Sequence, residues 1–158
     1  LGSPDFTNQL NLILKENHEL NHKLCFEITE TVAISQINES IRFLEHIKSY
    51  GCKLALDDFG SGFSSFTWLK QLPVDFVKID GSFILDVLNN PVDNAMVDAI
   101  QTISKIMNIQ SIAEFVENKK IADWLIKAGI DYAQGFYYCE PQPIEQLIGK
   151  CAETEKKT

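Results

Sequence analysis

The sequence predicts an α/β protein in which a parallel sheet, covered by helices, forms part of a TIM-like (β/α) barrel. Strand-like and helical segments alternate five times along 158 residues, the pattern of parallel strands joined by helical crossovers. Each strand also ends on polar groups: Glu27, Asp57 with Asp58, Lys78, Glu114 and Gln134. The carboxyl ends of parallel barrel strands converge on one rim, where barrel active sites lie. A flavodoxin-like open sheet fits the alternation but does not gather five strand ends around one centre. With 45% hydrophobic and 23% charged residues, the chain can bury the core of roughly one domain.

A helical segment around residues 5 to 21 comes first, followed by the apolar run Leu24-Cys25-Phe26-Glu27-Ile28, which reads as a strand. Ser35 is placed to cap a helix whose apolar face carries Ile37, Ile41, Leu44 and Ile47, and Gly51 stops it. Lys53 to Asp57 is the second strand. A short helix from Ser64 to Leu72 must end before Pro73, and Val74 to Ile79 is the third strand. Pro91 opens the longest helix, with Met96, Val97, Ile100, Ile103, Ile106 and Met107 along its stripe. Gln110 to Glu114 is the fourth strand. Asn118 caps a helix containing Trp124, Leu125 and Ala128, Gly129 ends it, and Tyr132 to Tyr138 contains the fifth strand. A last helix follows Pro143.

Charge narrows the function classes. Fourteen basic against 22 acidic residues give a net charge of −8, with no basic stripe to neutralise a phosphate backbone, so duplex nucleic acid is not the expected partner. An acidic protein can still bind a small phosphate ester through divalent cations held by carboxylates. The four cysteines, Cys25, Cys52, Cys139 and Cys151, lack metal-binding or redox spacing, which suggests a reducing compartment. No apolar run approaches the length of a membrane span and the N-terminus has no signal-peptide pattern, so a cytoplasmic location is expected, compatible with a membrane anchor elsewhere in a longer protein. His18, His22 and His46 lie in helical segments without mutual metal spacing and read as surface residues.

Asp57-Asp58-Phe59-Gly60-Ser61-Gly62 carries the most chemistry. Adjacent carboxylates at a strand end repel one another unless cations neutralise them, and the glycines let the loop turn sharply behind them; the pair reads as half of a two-metal site. Taken singly, each polar group has a plainer reading: Asp58 as the cap of the following helix, Lys78 as a solvated or ion-paired lysine, Glu27 or Glu114 as rim salt bridges, Gln134 as an amide bonded to backbone. Trp68, Trp124 and the tyrosines near 137 read as packing.

Phe26-Glu27-Ile28-Thr29-Glu30, Asp57 to Ser65, Val77-Lys78-Ile79-Asp80, Ala113-Glu114-Phe115-Val116-Glu117 and Gln134-Gly135-Phe136-Tyr137-Tyr138 resemble, in order, successive motifs of the EAL domain. The match runs from about residue 5 to 149, and the whole chain, 1 to 158, reads as a partial EAL domain. That family contains phosphodiesterases that hydrolyse cyclic di-GMP to linear pGpG with Mg²⁺ or Mn²⁺ at a two-metal site. The resemblance implies that Glu27 and Asp57 are ligands of one metal, and that Asp57 bridges to a second held by Asp58 and Glu114. It implies that Lys78 contacts the attacking water, that Gln134 supports the water network, and that Glu30, Asp80 and Glu117 are supporting residues around the site. Cyclic di-GMP is the implied partner, and diguanylate cyclase or sensory domains are the kind of neighbours such a domain has in a longer protein. A non-catalytic cyclic di-GMP receptor or regulatory EAL module is the alternative, although receptors would be expected to have lost several of these carboxylates.

The departures have consequences. Neither the Glu-Ala-Leu motif nor the next strand with its metal-binding asparagine occurs in these residues, so about three of eight barrel strands are expected to be missing. An incomplete barrel has two unpaired edges, and self-association with weak or no hydrolysis by the isolated chain follows. Phe115 stands where the family pattern usually has glycine, which crowds the loop beside Glu114.

Overall fold

A computed structural model describes residues 4–61 and 66–146. Five parallel strands, β1 (Cys25–Thr29), β2 (Lys53–Phe59), β3 (Phe76–Ile79), β4 (Gln110–Ala113) and β5 (Tyr132–Ala133), are hydrogen-bonded in the order of the chain. Such sequential parallel neighbours are how a barrel wall is built, whereas a doubly wound sheet reverses its strand order. Among the described residues each of β1 and β5 pairs on one side only, so the sheet is an incomplete (β/α) barrel, as expected.

The helices are α1 (Pro4–Glu16), α2 (Glu30–Ser35), α3 (Ile37–Ser49), α4 (Phe66–Leu69), α5 (Gly81–Leu85), α6 (Pro91–Met107) and α7 (Lys119–Ala128). Their ends follow the local chemistry. Asn90 and Asn118 cap α6 and α7 by accepting from Val92 N and Ile121 N, Pro91 opens α6, and Gly129 closes α7 in the left-handed conformation at φ 76°. The stripe of α3 buries Leu44 and Ile47 against a core of Leu54, Leu56, Val77 and Ile79, with Ile37 and Ile41 partly buried beside them.

Three expectations are corrected. Ser35 does not cap the second helix: it ends α2, where its hydroxyl donates to Val32 O, and Gln36, at φ −141° and ψ 59°, breaks the chain before α3 begins. Two short helices, α2 and α5, follow strands directly and are absent from the sequence reading, because both are too short to show a period; Asp80, the cap of α5, is the one local signal. On α6, Ile106 is 80% exposed, while Gln101 and Ser104 share the buried face with Val97 and Ile100. At about 100° per residue Ile106 lies half a turn round from Val97, so hydrophobicity alone misplaced it. The helix anticipated from Ser64 begins at Phe66 among the described residues, and only residues 144–146 of the helix after Pro143 fall within them. His18, His22 and His46 are exposed, as expected, and Cys52 is buried, while Cys25 and Cys139 are exposed.

Candidate active site

Because the strands are parallel, their carboxyl ends share one edge, and the register determines which side chains meet there. Glu27 is level with Ala55, and Asp57 lies two residues beyond Ala55, so the two carboxylates share a face of the sheet. Between β2 and β3, Leu56 pairs with Val77 and Phe59 with Ile79, so Asp57 and Asp58 together oppose the single residue Lys78. This is a β-bulge, which bends the strand and re-aims side chains, and it is why both adjacent aspartates can reach the site despite the alternation of a strand. Asp58 completes the turn at φ 54°, a left-handed conformation that aspartate tolerates better than most residues.

The Lys78 side chain is 6% exposed, and its Nζ lies 2.9 Å from Glu27 Oε2, 2.8 Å from Asp57 Oδ1 and 2.9 Å from Glu114 Oε1. A buried ammonium requires such partners. Burial pulls its pKa down, but the three carboxylates outweigh it and hold the group above the ordinary lysine range, so it is a fixed cation rather than a base near neutral pH. Burial acts the other way on Glu114: it raises that carboxyl's pKa, Lys78 lowers it, and the charges of Asp57 and Asp58 add to the rise.

One ammonium does not satisfy this cluster. Oxygens of Asp57, Asp58 and Glu114 lie within 4.8 Å of one another, and with Glu27 they set four carboxylates around the single charge of Lys78, 2.8 Å from Asp57 Oδ1. Three converging carboxylates with more negative charge than one ammonium neutralises form a hard-oxygen donor set suited to Mg²⁺ or Mn²⁺. Glu27 stands at the edge of this group, its side chain 49% exposed and hydrogen-bonded to Lys78.

The other anticipated residues lie as follows. Glu30 is buried and its Oε2 accepts from Gly60 N at 3.1 Å, tying the turn after Asp58 to the start of α2. Asp80 follows Lys78's strand directly and caps α5 by accepting from Ser82 N at 2.8 Å. Gln134 N donates to Ala113 O and Val116 N donates to Gln134 O, which continues the β4–β5 ladder past Glu114. Gln134 and Glu117 are exposed and line a cleft of about 220 Å³ with Glu114, Phe115, Gly135 and Phe136.

Phe115, expected to crowd the loop beside Glu114, and Phe136 are 58% and 67% exposed and form the aromatic walls of that cleft, a use not assigned to them from the sequence. The packing reading of Tyr137 and Tyr138 is corrected: both are exposed, and they meet edge to face at 5.1 Å. A larger cavity, about 580 Å³, lies at the opposite end of the strands among Lys48, Lys53, Asp75, Lys105 and Asp131. It is remote from the carboxylates, and Asp75 and Asp131 there bind the backbone N–H groups of Leu54 and Ser111, a structural use.

The arrangement is a rim of carboxylates around one buried cation, beside an open aromatic cleft. Comparison with known proteins agrees with that chemistry. The profile of the EAL domain matches residues 1–141. Cyclic di-GMP phosphodiesterase PdeB of Shewanella oneidensis is 48% identical over 134 residues, which is 85% of this chain and 15% of the relative. Cyclic di-GMP phosphodiesterase PdeA of Borreliella burgdorferi is 44% identical over 121 residues, 77% of this chain and 18% of the relative. The chain thus spans less than a fifth of these relatives. Among solved structures, the EAL domain of Mycobacterium smegmatis DcpA matches 97% of this chain and 69% of its own with a TM-score of 0.86 at 33% identity. The FimX EAL domain from Pseudomonas aeruginosa, bound to c-di-GMP, matches 89% of this chain and 57% of its own with a TM-score of 0.81 at 30% identity.

Proposed function

The chain belongs to the EAL domain family, and from that premise we propose that it supplies the catalytic rim of a metal-dependent phosphodiesterase that hydrolyses cyclic di-GMP to linear pGpG. The observation that carries this reading is the convergence of Asp57, Asp58 and Glu114 on one another with Lys78 among them. Asp57, Asp58, Glu114 and Glu27 would hold divalent cations, Mg²⁺ or Mn²⁺. When bound, two such cations lower the pKa of a water and neutralise charge on the attacking and leaving oxygens of a phosphoryl displacement.

The side chains themselves contribute position and charge. Lys78, held protonated, donates hydrogen bonds and does not accept them, so its role is to orient the attacking water and counter charge developing on the phosphate oxygens. Its three contacts with carboxylates keep the ammonium at the centre of the rim in the absence of substrate. Gln134, at the mouth of the cleft beside Glu114, offers both a donor and an acceptor to the water network. Glu30 anchors the turn that carries Asp58. The alternative, a module that holds cyclic di-GMP without cleaving it, does not explain why Glu27, Asp57, Asp58, Glu114 and Lys78 are all present.

The test is product analysis. The intact protein should release pGpG from cyclic di-GMP in Mg²⁺ or Mn²⁺, and Asp57→Asn should abolish turnover because an amide cannot supply the charge shared by two cations. Near-normal hydrolysis by Asp57→Asn, or binding of cyclic di-GMP without turnover by the wild type, would contradict the proposal.

A further inference from the structure

Phe115 is a bulky residue in a backbone conformation that glycine favours, at φ 51°, directly after Glu114. Its ring does not enter the core. Instead it lies across the first residue of α5: a Cβ added to Gly81 would stand 2.6 Å from Phe115 Cγ and 2.9 Å from Cε2, closer than packed atoms allow. The residue after Phe115 then returns to the ladder, with Val116 N donating to Gln134 O at 3.0 Å. A strained turn persists only where surrounding contacts over-determine it, and strain of this kind clusters at functional sites.

We propose that the Phe115 ring, seated on the bare Cα of Gly81, is the contact that holds the left-handed turn and thereby aims Glu114 into the carboxylate cluster. Phe115 is a positioning residue: it acts through Glu114. The inference rests on the reading of Glu114 as a cation ligand. It also makes Gly81 and Phe115 a coupled pair, since a side chain at position 81 and the ring at 115 compete for one space.

The coupling gives an ordering of variants that ordinary packing does not. Phe115→Ala keeps a Cβ at φ 51° and loses the ring, so the turn should relax and carry Glu114 away. Phe115→Gly loses the ring too, but φ 51° costs glycine nothing, so Glu114 should stay. Gly81→Ala should behave like Phe115→Ala, although alanine is the better helix former, because it evicts the ring. In the Phe115→Gly background the same Gly81→Ala change should be harmless.

The experiment measures Mn²⁺ affinity by calorimetry and amide hydrogen exchange at Val116 in the intact protein and these four variants. We expect Phe115→Ala and Gly81→Ala to weaken Mn²⁺ binding about tenfold and to speed Val116 exchange by a similar factor. Phe115→Gly and the double variant should stay within about twofold of wild type. Equal losses in Phe115→Ala and Phe115→Gly would show that the ring only packs, and would overturn the proposal. Altered exchange without altered Mn²⁺ affinity would show that the turn does not position Glu114, and would overturn it as well. Failure of the wild type and every variant to bind Mn²⁺ would instead remove the cation reading of Glu114 and the proposal with it.

Discussion

Replacing Lys78 with methionine removes the ammonium that, among the described residues, pairs with Glu27, Asp57 and Glu114, and keeps an unbranched apolar stem that stops one atom short of Nζ. At contacts of 2.8–2.9 Å, each pair is attracted by about 6 kcal/mol at an effective dielectric constant of about 20. Most of that is offset by the cost of burying the lysine and by repulsion among the carboxylates. Breaking a buried pair by deleting one partner costs about 3–5 kcal/mol, and the half-exposed Glu27 places this site near the lower end. Lys78→Met should therefore lose about 3 kcal/mol, which for a chain of this size lowers Tm by about 6–12 °C. The pH dependence has a definite sign. In the wild type the folded pKa of Lys78 is raised above its ordinary 10.5, so its contribution is complete below that value and is lost only as pH rises past it. Without the ammonium, Glu114, whose pKa burial already raises, is pushed higher still, so the folded variant gains protons and its deficit narrows as pH falls below neutral. Added Mn²⁺ should recover part of the loss by replacing the missing charge. Thermal melts of wild type, Lys78→Met and the exposed-site control Lys70→Met, at several pH values with and without Mn²⁺, measure all of this. A Lys78→Met variant no less stable than Lys70→Met, or a deficit that widens on acidification, would refute the reasoning.

Three further outcomes are expected. Burial raises the Asp75 pKa, but the Leu54 N–H, Lys53 and Lys48 outweigh it and hold it below 3.8, so its stabilisation is complete above that value and lost as pH falls through the folded one; Asp75→Asn should cost about 1.5–3 kcal/mol at pH 7, shrinking below about pH 4, and a pH-independent cost in melting experiments would contradict it. Asn118→Ala removes the cap of α7, whose side chain accepts from Ile121 N at 3.1 Å, and should lower Tm by about 2–4 °C, equivalent to about 1 kcal/mol. The isolated chain, with free edges on β1 and β5 and Phe6, Leu10, Phe26 and Val32 lining a groove beside β1, should self-associate in a concentration-dependent way; sedimentation of a compact monomer at all concentrations would count against open edges as the cause.

Much of this fold was legible because the long elements carry strong periods and punctuation. The α3 stripe, Pro91 at the start of α6, and the Asn118 cap and Gly129 stop of α7 are local signals that tertiary packing did not overrule. The strand ends were legible for a different reason: a polar residue after an apolar run is conspicuous, and parallel topology brings such residues together. What escaped the sequence depends on contacts between distant residues. The bulge that sets Asp57 and Asp58 opposite Lys78 is a property of the β2–β3 register, and no composition of β2 alone specifies it. The α5 helix is too brief to show a period, yet it braces the turn after Glu114 through Gly81. Ile106 illustrates the opposite error, in which apolar character was read as burial although the helical angle turns it outward.

The most direct test of the central claim is to locate Mn²⁺ by anomalous diffraction in crystals of the intact protein. Two peaks about 4 Å apart on either side of Asp57, one of them against Asp58 and Glu114, are the predicted result; no peak at these carboxylates, or manganese bound only elsewhere, would contradict it.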